Sequence, residues 1–183
     1  MQQIKIVLFF TIFFLYATAG MSSPGLWKRQ TVLQNDLIQA LELDKTSLCS
    51  EIDRLRCFED VHQISLGGYD PFSQGRFEGI SSPALTTAIS FERVVQIACA
   101  NRMRFELKTT PKLFKPLLSG SSIDRQTVIN QASILFRRFH GRDISGEERS
   151  GLASFPLSIK DNPESLGQML CVAIGTMTEF LIY

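Results

Sequence analysis

"DRQTVINQASILFRRFHGRDISGEE", residues 124–148, decides how this chain folds. Val128, Ala132, Leu135 and Phe139 stand at i, i+4, i+7 and i+11, a single apolar row on a helix of about 124–140. Asp124 or Ser122 supplies the N-cap, with a side-chain oxygen able to accept from the first free amides. The helix ends at His140-Gly141. Arg137, Arg138 and His140 put cations in its last turn, at the negative end of the helix dipole, and Gly141 suits the left-handed position that follows. Ser145-Gly146-Glu147-Glu148 then opens another helix as a capping box, with Ser145 capping the backbone and Glu148 reaching back. The densest polar cluster of the chain therefore reads as a structural helix corner made by His140, Gly141, Arg142, Ser145 and Glu148.

Helical spacing continues on both sides of this corner. Downstream, Asn162 or Asp161 caps a last helix, Pro163 occupies its first turn and Glu164 its positive end. Leu166, Met169, Leu170, Ala173, Met177, Phe180 and Leu181 form its apolar face, and Cys171, Val172 and Ile174 widen that face enough to predict a central helix. The apolar run reaches Tyr183, so this end is expected to pack inside the fold or against another protein. Upstream, a third helix is predicted from about Thr87 to Leu107, burying Phe91, Val94, Val95, Ala98 and Cys99. Arg102-Met103-Arg104 on it reads as a solvated face. "TTPKLFKPLLSG", residues 109–120, follows as a short helical turn between Pro111 and Gly120.

A first helix is expected over about 29–42, with Leu33, Leu37 and Leu41 in register, and a second over about 46–62, containing Leu48, Ile52, Leu55 and Cys57. Between the second and third lies "ISLGGYDPFSQGRFEGISSP", about 64–83, whose four glycines and two prolines exclude a helix. It reads as a long ordered loop pinned by Tyr69, Phe72 and Phe77, and a loop of that length usually has a role or a partner. Together with Phe180 and Tyr183 these aromatics form a candidate interaction surface. The predicted fold class is all-α: an irregular bundle of about five helices with one long ordered loop, forming a single domain over residues 20–183.

A chain of 183 residues can bury a real core, and 44% hydrophobic with 20% charged residues excludes extended disorder. Residues 1–19 stand apart. Lys5 precedes an uncharged apolar run that closes on Ala17-Thr18-Ala19, the order and proportion of a secretory signal peptide cut after Ala19. The competing expectation is an uncleaved membrane anchor, although the run to Ala19 is short of the ~20 residues a spanning helix needs. Loss of Lys5 leaves 18 basic against 18 acidic residues. That balance argues against electrostatic steering to nucleic acid or an anionic membrane.

Cys49, Cys57, Cys99 and Cys171 make an even set in a chain read as exported, so disulfides are expected. If "CSEIDRLRC" is continuous helix, Cys49 and Cys57 lie ~12 Å apart, beyond the ~7 Å reach of a bridge. Each is then expected to pair with Cys99 or Cys171.

No G-x-S-x-G elbow, Walker loop, G-x-G-x-x-G or H-E-x-x-H occurs, and no C-x-x-C or cysteine–histidine cluster. No cofactor or metal is expected. His62 and His140 are the two histidines, each near a predicted helix end. The sole enzymatic alternative sets His140 and Asp143 as an oriented base with Ser145 nearby.

"LFRRFHGRDISGEE", followed some thirty residues later by "TMTEFLIY", resembles a helical pattern of secreted bacterial proteins of unknown function, including planctomycete-type cytochrome-associated domains. Leu135, Phe139, Gly141, Arg142, Glu147, Glu148, Glu179 and Phe180 carry the resemblance over roughly 50 residues. Ile144 departs from it, standing where proline is usual, and the haem attachment motif of the larger proteins is missing. The resemblance implies a bacterial envelope protein in which the arginine and glutamates lock a helix corner. It implies no activity.

The expected function is that of a non-enzymatic exported helical protein, an accessory or structural subunit of a bacterial cell-envelope complex, periplasmic or extracellular. Its partners would be proteins of that complex and not nucleic acid, with membrane contact possible through residues 1–19. The alternatives are a small membrane-anchored subunit of a respiratory or photosynthetic complex and, third, an enzyme of unknown class.

Overall fold

The structure, a computed structural model, describes residues 26–52, 54–68, 85–120, 123–153 and 162–183. The N-terminal segment 1–19, Ser122, and the loop aromatics Tyr69, Phe72 and Phe77 lie outside the described residues.

Among the described residues the fold is all-α apart from one very small hairpin. In chain order it contains α1 (Gln30–Leu41), α2 (Lys45–Leu48), β1 (Ser50–Glu51), β2 (Leu55–Arg56), a π-helical turn (Cys57–Val61), α3 (Leu85–Lys108), α4 (Lys115–Leu118), α5 (Arg125–His140), α6 (Gly146–Ala153), α7 (Pro163–Gly175) and α8 (Thr178–Leu181). Leu33, Leu37 and Leu41 of α1 are fully buried, as are Val94, Val95 and Ala98 of α3 and Leu135 of α5. The periodic stripes read from the sequence are thus the faces that meet.

α7 is central, packed between α3 and α5. Two glycines let the neighbours approach. A Cβ on Gly167 would come within 2.3 Å of Met103 Cε, and one on Gly175 within 2.9 Å of the Phe139 ring and 3.0 Å of Val95. Asn162 caps α7 by accepting from the Ser165 amide at 3.0 Å, with Pro163 in the first turn. The helix stops at Gly175 rather than running to the end of the apolar stretch. The Thr176 hydroxyl and amide both donate to Val172 O, at 2.8 and 2.9 Å, and the chain restarts at Thr178 as α8. Thr and the extended Met177 break the helix, so Phe180 turns back onto Phe91 and Phe139 and is buried. The last residues pair antiparallel with the first described ones: Lys28 N donates to Leu181 O and Tyr183 N to Leu26 O, both at 2.9 Å.

Two expectations are corrected. The second helix of about 46–62 does not form. α2 ends at Leu48, and the chain reverses through a hairpin pairing Ser50 with Arg56 and Glu51 with Leu55. Its reversal contains Ile52 at φ +48°, a left-handed conformation that ends any continuous helix. Because the hairpin folds back, Cys49 and Cys57 stand 5.5 Å apart at Cα and are bonded to each other, not to the distant cysteines. Cys99 of α3 and Cys171 of α7 form the second disulfide, with Cα atoms 5.9 Å apart.

Candidate functional site

The helix corner forms as a closed ionic clasp. Asp124 caps α5, accepting from the Thr127 amide and hydroxyl at 2.7 Å, and Gly141 ends it at φ +65°. Ser145 and Glu148 make the reciprocal capping box of α6: Glu148 N donates to Ser145 Oγ at 3.2 Å and Ser145 N to Glu148 Oε2 at 2.7 Å. Arg142 lies between the helix ends. It grips Glu148 through Nη1 and Nη2 at 2.9 and 2.7 Å, and Glu179 of α8 through Nε and Nη2 at 2.8 and 2.7 Å. Its guanidinium also covers the Phe136 ring, 5.0 Å from the centroid. Two forked pairs on one planar cation match the geometry arginine offers and lysine does not. Hydrogen bonds from Arg142 hold the Glu148 carboxyl down to about 2 and also lower Glu179. The same contacts raise the Arg142 guanidinium above its ordinary range.

His140 has a different role from the cationic one expected. Its side chain is buried, and burial lowers its pKa below the ordinary 6.5. It is therefore neutral at neutral pH. Nε2–H donates to Ile174 O at 3.0 Å, so His140, at the end of α5, caps the final turn of α7. That bond assigns the tautomer and leaves Nδ1 as an acceptor, 3.8 Å from Glu179 Oε2. Asp143 is committed to Arg137 at 2.6 Å, and Ser145 to the capping box. The base, carboxylate and hydroxyl that the enzymatic alternative would join are thus bonded to three separate partners.

Arg102, expected on a solvated face with Met103 and Arg104, belongs instead to a second, buried ionic centre. Val94, Ala98, Arg102 and Glu106 form an i, i+4 row, so the register of α3 carries the pair into the core, where both are fully buried. Arg102 donates to Glu106 Oε1 through Nε and Nη2, at 2.9 and 2.6 Å, and to Glu42 O at 3.0 Å. Glu106 also accepts the Leu113 and Phe114 amides, each at 2.7 Å, which satisfies the chain entering α4. The i, i+4 Arg–Glu spacing was visible in the sequence, but the partners on residues 42, 113 and 114 were not.

The third polar centre joins the hairpin to the rest of the fold. Glu51, buried, accepts from His62 Nε2 at 2.6 Å and pairs with Arg93 of α3 at 2.7 Å. A carboxylate-oriented imidazole of this kind can serve as a base or ligand. Among the described residues, however, no group of three or more histidine, cysteine, aspartate or glutamate side chains is placed to hold a metal. An open depression of about 390 Å³ lies elsewhere, beside α4, lined by Lys112, Lys115 and Ile134 among others. Of the predicted interaction surface, Phe180 is in the core and Tyr183 is exposed, its ring 5.8 Å from Lys28 Nζ. No known family model, curated protein or solved structure matches this chain.

Proposed function

We propose that this is a non-enzymatic exported helical protein, an accessory or structural subunit of a bacterial cell-envelope complex. The observation that carries the proposal is the use of all four cysteines in two disulfides, Cys49–Cys57 and Cys99–Cys171. Such bonds persist in oxidising compartments, and residues 1–19 have the composition of an export signal. Support for a subunit role comes from how the polar residues are used. His140, Arg142, Glu148, Arg102 and Glu106 all hold helices together. Large apolar side chains, Ile52, Leu85, Ile89 and Phe105, stand exposed. Among the described residues no helix is long and apolar enough to cross a membrane.

The test is gentle extraction of the protein from its native envelope, recording the size of the particle it travels in and the mass of its first peptide. Migration in a large assembly, with a chain starting at Gly20, is expected. A free single chain in every fraction would sink the subunit role, and a retained residue 1 would replace export and release by anchoring.

A further inference from the structure

We propose that α8 is an acid-released latch: protonation of His140 at Nδ1 frees residues 176–183 from the end of α5, and with them the N-terminal residues 26–28 that they hold. The device is independent of the subunit role and needs only the contacts around His140.

The latch is slight. α8 has four residues and starts beyond the break at Thr176 and Met177, so helix formation by itself does not hold it in place. Its position is set by three groups of contacts. Phe180 lies against the rings of Phe91 and Phe139, with centroids 6.0 and 5.3 Å away. Glu179 accepts from Arg142 at 2.8 and 2.7 Å. Leu181 O accepts from Lys28 N, and Tyr183 N donates to Leu26 O, both at 2.9 Å. A chain end secured by so few contacts opens locally at far lower cost than the whole fold.

His140 lies against this latch. Its side chain is buried, Nε2–H donates to Ile174 O at 3.0 Å, and Nδ1 is buried with no hydrogen-bond partner. The rings of Phe136, Phe139 and Phe180 surround it, with centroids 5.5, 6.5 and 6.3 Å away. A neutral ring is tolerated there, because an acceptor nitrogen without a donor costs little beside a desolvated cation. The charged groups around it partly cancel. Glu179 of α8 and Glu148 of α6 favour the imidazolium, and Arg142 between them opposes it. Lys28 sits over the Phe180 ring, 4.9 Å from its centroid, and is paired with Asp36 of α1.

Once protonated, Nδ1–H needs an acceptor. Glu179 Oε2, at 3.8 Å, already accepts from Arg142 Nη2 at 2.7 Å. It would have to shift by about 1 Å toward the ring to bond Nδ1. Lifting α8 instead removes Phe180 from the ring face and lets Nδ1–H meet water. Burial already depresses the imidazole below its ordinary 6.5, which is the sign this linkage requires.

The experiment is native-state hydrogen exchange on the oxidised full chain at pH 7.5 and 5.5, corrected for the intrinsic rate at each pH. The probes are the amides of Lys28, Phe180 and Tyr183, with those of Val94, Val95 and Ala98 in α3 as the reference. A histidine that titrates near 6.5 when hydrated and stays neutral when closed raises opening about tenfold between these two pH values. The three latch amides are expected to show that rise together while the α3 amides do not. His140→Gln should abolish it. Glu179→Gln should open more often at both pH values and keep the pH dependence. A latch that closes more tightly at pH 5.5 would mean that Glu179 captures the imidazolium, and overturns the proposal. So does an equal rise in the α3 amides, which is global unfolding, or a rise that survives His140→Gln. A pH dependence lost in Glu179→Gln but kept in His140→Gln makes the carboxylate the sensor and overturns it as well. If His140→Gln does not fold, the wild-type latch amides set against the α3 amides still decide.

Discussion

Glu106→Ala is the substitution to which this fold should be most sensitive. The carboxylate is fully buried and accepts four hydrogen bonds: two from Arg102, at 2.9 and 2.6 Å, and one each from the Leu113 and Phe114 amides at 2.7 Å. Removing it leaves a buried guanidinium whose remaining contacts are on Glu42, and two amides with no acceptor. Breaking a buried pair from one side costs about 3–5 kcal/mol, and each orphaned buried amide about 1–3 kcal/mol. The terms overlap because all concern one desolvated corner, so about 4–5 kcal/mol is expected for the whole. At roughly 2–4 °C per kcal/mol for a chain of this size, Tm should fall by about 8–20 °C. Adding Arg102→Met removes the stranded charge and should return about 1–3 kcal/mol of the loss. The orphaned amides keep the double variant below wild type. Thermal and urea unfolding of the oxidised protein, followed by circular dichroism at pH 7, measures both. A Glu106→Ala Tm within about 3 °C of wild type, or a double variant no better than the single, would refute this account of the corner.

Other outcomes can be stated as directly. Burial lowers the His140 pKa, so protonation favours the unfolded chain: stability should begin to fall as pH drops below 6.5, and His140→Gln should flatten that step. A second loss belongs to Glu148 and Glu179, whose lowered values place it below pH 4.5 and, for Glu148, extending to about 2. Stability that rises between pH 6.5 and 5 in the wild type but not in His140→Gln would contradict the first step. Loss of the Cys99–Cys171 bond, spanning 72 residues, should cost about 4 kcal/mol, and loss of Cys49–Cys57, spanning 8, about 2.5 kcal/mol on loop-entropy grounds. Denaturant titration of the paired Cys→Ala variants orders them, and the reverse order would show that strain or residual structure dominates. Gly175→Ala should destabilise by about 1–3 kcal/mol, since its Cβ meets the Phe139 ring and Val95. Gly167→Ala should cost less because the closest atom is the flexible end of Met103; equal losses would mean that Met103 cannot move. Gly141→Val has open space around its Cβ, so its cost should be backbone strain alone, about 1–2 kcal/mol.

Local chemistry was legible in the residues themselves. The apolar row of α5, the Asp124 and Asn162 caps, Gly141 at φ +65° and the Ser145–Glu148 box depend on neighbours within one or two turns, so spacing alone revealed them. The central position of α7 was also readable, because a helix apolar nearly all round must be covered on several sides. What failed was decided at longer range or by competing local effects. Residues 46–62 carry apolar side chains at helical spacing, but a disulfide, a hairpin pairing and the Glu51–His62–Arg93 clamp draw them into a reversal, and the cysteine pairing changed with it. Arg102 looked like a surface cation because composition assigns guanidinium groups to water. Only the tertiary structure supplies the buried carboxylate and the carbonyl that make its burial tolerable. His140 sits at the helix end where it was expected, yet burial disfavours its cationic form, and its Nε2–H donates to Ile174 O at the adjoining end of α7. Periodicity and capping are encoded by near neighbours. Which charges are desolvated, and by whom they are met, is set by residues distant in sequence, and only packing brings those together.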